Sequence, residues 1–125
     1  MWGLYIKMKR ILIADDEEDV RDYLKNIISE IPNIELTFVD SGETLLERIK
    51  ETDYDFVLTD NEMRVRGIRG VDAITEMRKL GKIYPIYLMS GSAKEEEAKA
   101  AGANGFIAKP IWPSTIREIL GQYLK

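Results

Sequence analysis

Apolar residues are distributed along this chain in two alternating patterns. Short runs of β-preferring residues end abruptly in a polar side chain, and longer stretches repeat an apolar residue every three or four positions. The runs at 10–14 (Arg-Ile-Leu-Ile-Ala), 55–60 (Asp-Phe-Val-Leu-Thr-Asp) and 85–89 (Pro-Ile-Tyr-Leu-Met) predict strands buried on both faces. Residues 34–39 alternate well enough for a strand, and 105–108 predict a final short one. Between them, Val20, Leu24, Ile27, Ile28 and Ile31 recur at helical spacing and predict a helix over about 18–31, stopped by Pro32 and Asn33. Ser41-Gly42-Glu43 opens a second helix with Leu45, Leu46 and Ile49 inward. Val71, Ile74, Met77 and Leu80 mark a third, ended by Gly81. A short Glu- and Lys-rich helix over 93–101 closes at Gly102, and Pro113 suits the first turn of a last helix carrying Ile116, Ile119, Leu120 and Tyr123.

Five strands alternating with five helices predict an α/β fold, a parallel sheet with helices on both faces. The 125 residues suit one domain with one core. In such a sheet the carboxyl ends of the strands share an edge, where open α/β sheets place their sites. Every double-buried run delivers a functional group there: Asp15 and Asp16 after the first, Asp60 at the end of the third, Ser90 after the fourth and Lys109 after the fifth. Taken singly, each has an ordinary explanation as a helix-start acid, a turn residue or a solvated charge. Together they do not, because carboxylates about 4 Å apart repel by roughly 4 kcal/mol per pair at an effective dielectric near 20. Such a cluster implies a compensating cation.

Composition narrows the cation. The chain has no cysteine and no histidine, so a metal must be held by oxygen, which indicates Mg2+ with Mn2+ as an alternative, or calcium. Magnesium keeps several waters and takes one or two carboxylates plus phosphate oxygens, so the site suits a phosphoryl group. A carboxylate in that position can be the nucleophile. The net charge of −4 gives no basic field for nucleic acid. No apolar run is long enough to span a bilayer, and residues 1–7 lack the pattern of a signal peptide. The expectation is a cytoplasmic protein with no membrane insertion and no direct DNA binding, its fold beginning at the second methionine, Met8, after an N-terminal extension of residues 1–7.

The motifs Ile-Leu-Ile-Ala-Asp-Asp-Glu-Glu at 11–18, Asp-Phe-Val-Leu-Thr-Asp-Asn-Glu-Met at 55–63, Met-Ser-Gly at 89–91 and Gly-Ala-Asn-Gly-Phe-Ile-Ala-Lys-Pro at 102–110 resemble those of the receiver domain of two-component response regulators, of the single-domain chemotaxis-regulator type. The resemblance covers residues 8–125. It implies a flavodoxin-like (βα)5 fold with strand order 2-1-3-4-5. It also implies that Asp60 is the phosphoacceptor, that Asp16 binds Mg2+ directly and Asp15 through water, and that the Glu62 backbone carbonyl is a further ligand. Ser90 would follow the phosphoryl group, Lys109 would pair with the acyl phosphate, and Phe106 would occupy the position of an aromatic switch. Gly91 would keep the phosphoryl pocket open, and Pro110 would follow Lys109 through a cis peptide bond. The implied partners are a sensor histidine kinase or histidine phosphotransfer protein and a downstream target protein. The implied state is a monomer or weak dimer that assists its own phosphorylation and dephosphorylation without being an enzyme.

The chain departs from the family pattern in three places. Arg64 stands where the family usually has proline, and the loop to Gly70 is two residues longer than usual, with Arg64, Arg66 and Arg69 in it. The segment from Ser90 to Lys109 is about three residues shorter than usual, equivalent to one turn of the fourth helix. Glu62 and Ser92 occupy positions that affect phosphoryl lifetime in the family. The competing readings are a pseudo-receiver that binds partners without phosphorylation and an aspartate-nucleophile phosphatase of the haloacid dehalogenase kind, although Asp60-Asn61-Glu62 lacks that group's second aspartate. Flavin binding on the same fold is opposed by the acids after the first strand.

Overall fold

The computed structural model describes residues 7–63 and 67–124. Its elements run β1 (Lys9–Ala14), α1 (Glu18–Ile28), β2 (Ile34–Val39), α2 (Gly42–Glu51), β3 (Phe56–Asp60), α3 (Gly70–Lys79), β4 (Ile86–Ser90), α4 (Glu95–Ala101), β5 (Gly105–Ala108) and α5 (Pro113–Tyr123). The strands form one sheet in the order β2-β1-β3-β4-β5, and all four pairings are parallel. The fold is thus the flavodoxin-like (βα)5 arrangement expected from the sequence.

Alternation along the strands divides the core in two, because successive side chains leave opposite faces of a sheet. Leu12, Ala14, Val57, Ile86 and Leu88 face one side and meet Leu45 and Ile49 of α2, Ile74 and Met77 of α3, and Ala98 of α4. Ile11, Ile13, Phe56, Leu58, Met89 and Ile107 face the other and meet Leu24, Ile27 and Ile28 of α1 and Ile116 and Leu120 of α5. Ile11, Leu12, Ile13 and Val57 are fully buried, and each such side chain contributes about 1.5–3 kcal/mol by leaving water. A core this continuous fixes the register of the central strands and so the position of their last residues.

Element ends differ from the expectation where local hydrogen bonds intervene. α1 ends at Ile28 rather than Ile31, because the Glu30 and Ile31 N–H groups bond to the carbonyls of Ile27 and Ile28. That three-residue spacing tightens the last turn, and Pro32 disfavours helical geometry at Ile31. β4 begins one residue late, at Ile86, and includes Ser90. α4 begins at Glu95 rather than Ala93, since the Ser92 and Ala93 N–H groups are taken by the Ser90 hydroxyl. The Lys109–Pro110 peptide bond is cis, as expected. Residues 1–6 of the expected extension lie outside the described residues, as do Arg64 and Arg66 of the expected basic loop.

Candidate functional site

β3 ends in Asp60, and β1 and β5 lead directly into Asp15 and Lys109, so that the three strands bring their side chains to a shared acidic pocket. Oxygen atoms of Asp15, Asp16 and Asp60 lie within 4.8 Å of one another. Asp15 and Asp60 are buried, at 0% and 1% exposure, and Asp16 is half-buried. Lys109 Nζ sits between the two buried acids, 3.3 Å from Asp15 Oδ2 and 3.2 Å from Asp60 Oδ1. Asp15 is further held by the Glu17 N–H, which donates to its Oδ1 at 2.8 Å. Arg21 Nη1 donates to the Asp15 carbonyl oxygen at 2.8 Å, tying α1 to the strand end.

The electrostatics follow from that packing. Burial pushes the Asp60 carboxyl up to about 6, with the Asp15 charge adding to the rise and Lys109 opposing it. Burial also raises Asp15, against the Glu17 N–H and Lys109. For Lys109, burial lowers the pKa, but the pull of Asp60 and Asp15 outweighs it and the ammonium is held above its ordinary range. Among the described residues, the two buried carboxylates thus share one ammonium. The all-oxygen donor set and the close spacing of Asp15, Asp16 and Asp60 fit a hard divalent cation of the magnesium type. Asp15, Asp16 and Asp60 are the residues that could hold it.

Ser90 is brought to the same edge, at 1% exposure, but its hydroxyl is turned to Glu62. Oγ donates to Glu62 Oε1 and Oε2, each at 2.8 Å. Glu62 also accepts from Asn61 Nδ2 at 2.7 Å. Asn61, which the motif reading passed over, is 6% exposed. Its carbonyl accepts from the Gly70 N–H at 3.0 Å, and its Oδ1 accepts from the Val71 N–H at 3.1 Å. The start of α3 is therefore tied to the residue after Asp60. A polar residue between a strand-end acid and a glycine-containing loop was the available signal for this role. Gly70 completes the tie, since a Cβ there would collide with the Asp60 carbonyl oxygen.

Phe106 is half-buried on β5 and packs toward the α2–α3 side of the core. At Gly91 a Cβ would meet nothing within 4 Å, so packing does not require glycine there. Arg69 pairs with Asp72 at 3.2 Å on the surface, and Ile68 packs against α2 close to Gly42. Beside Lys109, an apolar groove of about 450 Å3 runs between α1 and the β5–α5 loop, lined by Val20, Tyr23, Pro110, Ile111 and Trp112 among others. Tyr23, one of the lining residues, donates from its hydroxyl to the Ile111 carbonyl at 2.8 Å. Trp112 is 67% exposed.

A doubly wound sheet with carboxylates and a lysine gathered at its carboxyl edge places the protein in the flavodoxin-like class with an acidic pocket. The response regulator receiver domain model matches residues 11–121, and the chain belongs to that family. Its relatives include chemotaxis protein CheY of Thermotoga maritima, 36% identical with 94% of this chain and 98% of that protein covered. Chemotaxis protein CheY-3 of Vibrio cholerae is 34% identical, with 96% and 95% covered. Among solved structures, the CheY-like receiver domain protein of Methanospirillum hungatei superposes with a TM-score of 0.84 at 26% identity, covering 94% of each chain. The protein is a CheY-like response regulator domain. No helix among the described residues is long and apolar enough to cross a membrane.

Proposed function

We propose that this domain accepts a phosphoryl group on Asp60 from a phosphohistidine of a partner protein, in a reaction that requires Mg2+, and signals through the resulting change of conformation. The observation that carries the reading is the placement of Lys109 Nζ within 3.3 Å of both buried carboxylates in a pocket with a third acid. Asp15, Asp16 and Asp60, with the Glu62 carbonyl, would hold the metal. When bound, Mg2+ neutralises charge on the phosphoryl oxygens and lets them approach an acidic pocket.

The protein's own groups account for the remainder. An Asp60 carboxylate oxygen forms the new bond to phosphorus as the bond from phosphorus to the donor's imidazole nitrogen breaks. The electron pair stays on that nitrogen, which takes up a proton from solvent. Lys109, paired with Asp60 before the reaction, can follow the negative charge onto the acyl phosphate. The Ser90 hydroxyl donates a hydrogen bond to a phosphoryl oxygen once released from its present partner. In the second half of the cycle, water attacks phosphorus and the Asp60 carboxylate is restored. Phe106, on the strand that leads into Lys109, is the proposed aromatic switch. The groove at Trp112 is the proposed seat of the donor protein, because it opens beside Lys109 and is apolar.

Intact-mass measurement after incubation with acetyl phosphate tests the reading. The expected result is one added phosphoryl group with Mg2+, none with a chelator, and none in Asp60→Asn. Unmodified wild-type protein under all conditions would assign the domain to the phosphorylation-independent interaction modules instead.

A further inference from the structure

The hydrogen bonds around Ser90 leave its hydroxyl with nothing spare. A serine hydroxyl offers one proton and two lone pairs. The proton is shared between the two carboxylate oxygens of Glu62, both at 2.8 Å. The lone pairs accept from the Ser92 N–H at 3.1 Å and the Ala93 N–H at 2.7 Å. Glu62 in turn is steadied by Asn61 Nδ2 at 2.7 Å, and Asn61 is pinned through the Gly70 and Val71 N–H groups.

We propose that Glu62 is an internal competitor for the Ser90 hydroxyl, a positioning residue that a phosphoryl group on Asp60 must displace before Ser90 can engage it. The inference rests on Asp60 being the phosphoacceptor. A phosphoryl group is anionic and offers only acceptor oxygens, and so is the Glu62 carboxylate. One proton cannot serve both at full strength, and the two anions repel. Glu62 is exposed, so water is available to resolvate it when it swings out. Once Ser90 Oγ turns toward Asp60, the Ser92 and Ala93 N–H groups lose their acceptor. Withdrawal of Glu62 and reshaping of the β4–α4 loop are then one event. The exchange subtracts a charge-assisted bond from the affinity for any phosphoryl-like group, because such bonds are among the stronger ones in proteins.

The test is a titration with beryllofluoride, a phosphoryl analogue, in the presence of Mg2+, followed by 19F NMR. Glu62→Ala is expected to bind it roughly tenfold more tightly than wild type, equivalent to about 1.4 kcal/mol. Glu62→Gln should fall between the two, because its amide oxygen still accepts while the charge is gone. In a Ser90→Ala background, removing Glu62 should change affinity by less than about threefold. Wild-type-like or weaker affinity in both Glu62 variants overturns the competition, as does full tightening in the absence of Ser90. Binding by wild type that disappears in Asp60→Asn yet ignores Glu62 overturns this inference alone. Failure of wild type, Glu62→Ala and Glu62→Gln to bind overturns the Asp60 reading together with it.

Discussion

Replacing Asp60 by asparagine should make the metal-free protein more stable at neutral pH. The carboxyl of Asp60 is held at about 6 in the fold against 3.8 outside it, chiefly by burial and then by the Asp15 charge. A native state that binds the proton more tightly than the unfolded chain gains stability at low pH. For Asp60 this gain is complete below about pH 3.8, is lost progressively as pH rises, and is gone above about 6. At about 1.4 kcal/mol per pH unit, the swing is about 3 kcal/mol. Asparagine keeps the shape and cannot ionise, so it escapes the loss, while Lys109 retains Asp15 at 3.3 Å. The assay is urea unfolding of both proteins in chelator at several values between pH 4 and 8, taking the difference in unfolding free energy so that other titrating groups cancel. The variant should be about 1–3 kcal/mol more stable at pH 8 and the difference should shrink toward pH 4. Added Mg2+ should stabilise wild type more than the variant, because only wild type offers all three carboxylates. A difference independent of pH, or a variant less stable than wild type in chelator at pH 8, would show that burial of the Asp60 charge does not destabilise the fold.

Other perturbations have equally definite outcomes. Lys109→Met removes the ammonium shared by two buried acids and should lower metal-free stability at pH 8 by about 1–3 kcal/mol, with partial recovery in Mg2+, as read by urea unfolding. Gly70→Ala sets a Cβ against the Asp60 carbonyl oxygen and Asn61 Cα, both backbone atoms that cannot move aside, and should cost about 2–4 kcal/mol by the same measurement. Arg78→Ala removes guanidinium bonds to the carbonyls of Gly102, Lys82 and Tyr84 and to Asn104 Oδ1. It should cost about 2–4 kcal/mol and speed amide hydrogen exchange across the α4–β5 turn. Trp112→Ala should slow phosphotransfer from a protein donor by about tenfold while leaving the rate from acetyl phosphate unchanged.

The readable part of this fold was the part written in side-chain type and spacing. Apolar runs such as Ile11-Leu12-Ile13 and Phe56-Val57-Leu58 can satisfy their burial only as central parallel strands, and that choice alone aligns Asp15, Asp60 and Lys109 at one edge. Directions of polar side chains were not legible in the same way. The position of Ser90 was anticipated, but its bond to Glu62 depends on the rotamers of two residues 28 apart in sequence. The late start of α4 has the same cause, since the hydroxyl takes the N–H groups of Ser92 and Ala93. Asn61 was overlooked because a buried asparagine and a loop asparagine look alike until the partners are placed. Arg78 was hidden for a similar reason: two of its four acceptors, on Gly102 and Asn104, lie 24 and 26 residues away and meet it only after the sheet is assembled.

The proposed phosphoryl acceptor is one group, the Asp60 carboxylate. Borohydride reduces an aspartyl phosphate to homoserine, so treating the acetyl phosphate-loaded, Mg2+-containing protein and mapping its peptides locates the acceptor directly. Phosphorylation of Asp60 yields homoserine at position 60, with none when Mg2+ is chelated. Conversion at Asp15 or Asp16, a phosphate retained on Ser90, or an unchanged peptide 56–63 would contradict it.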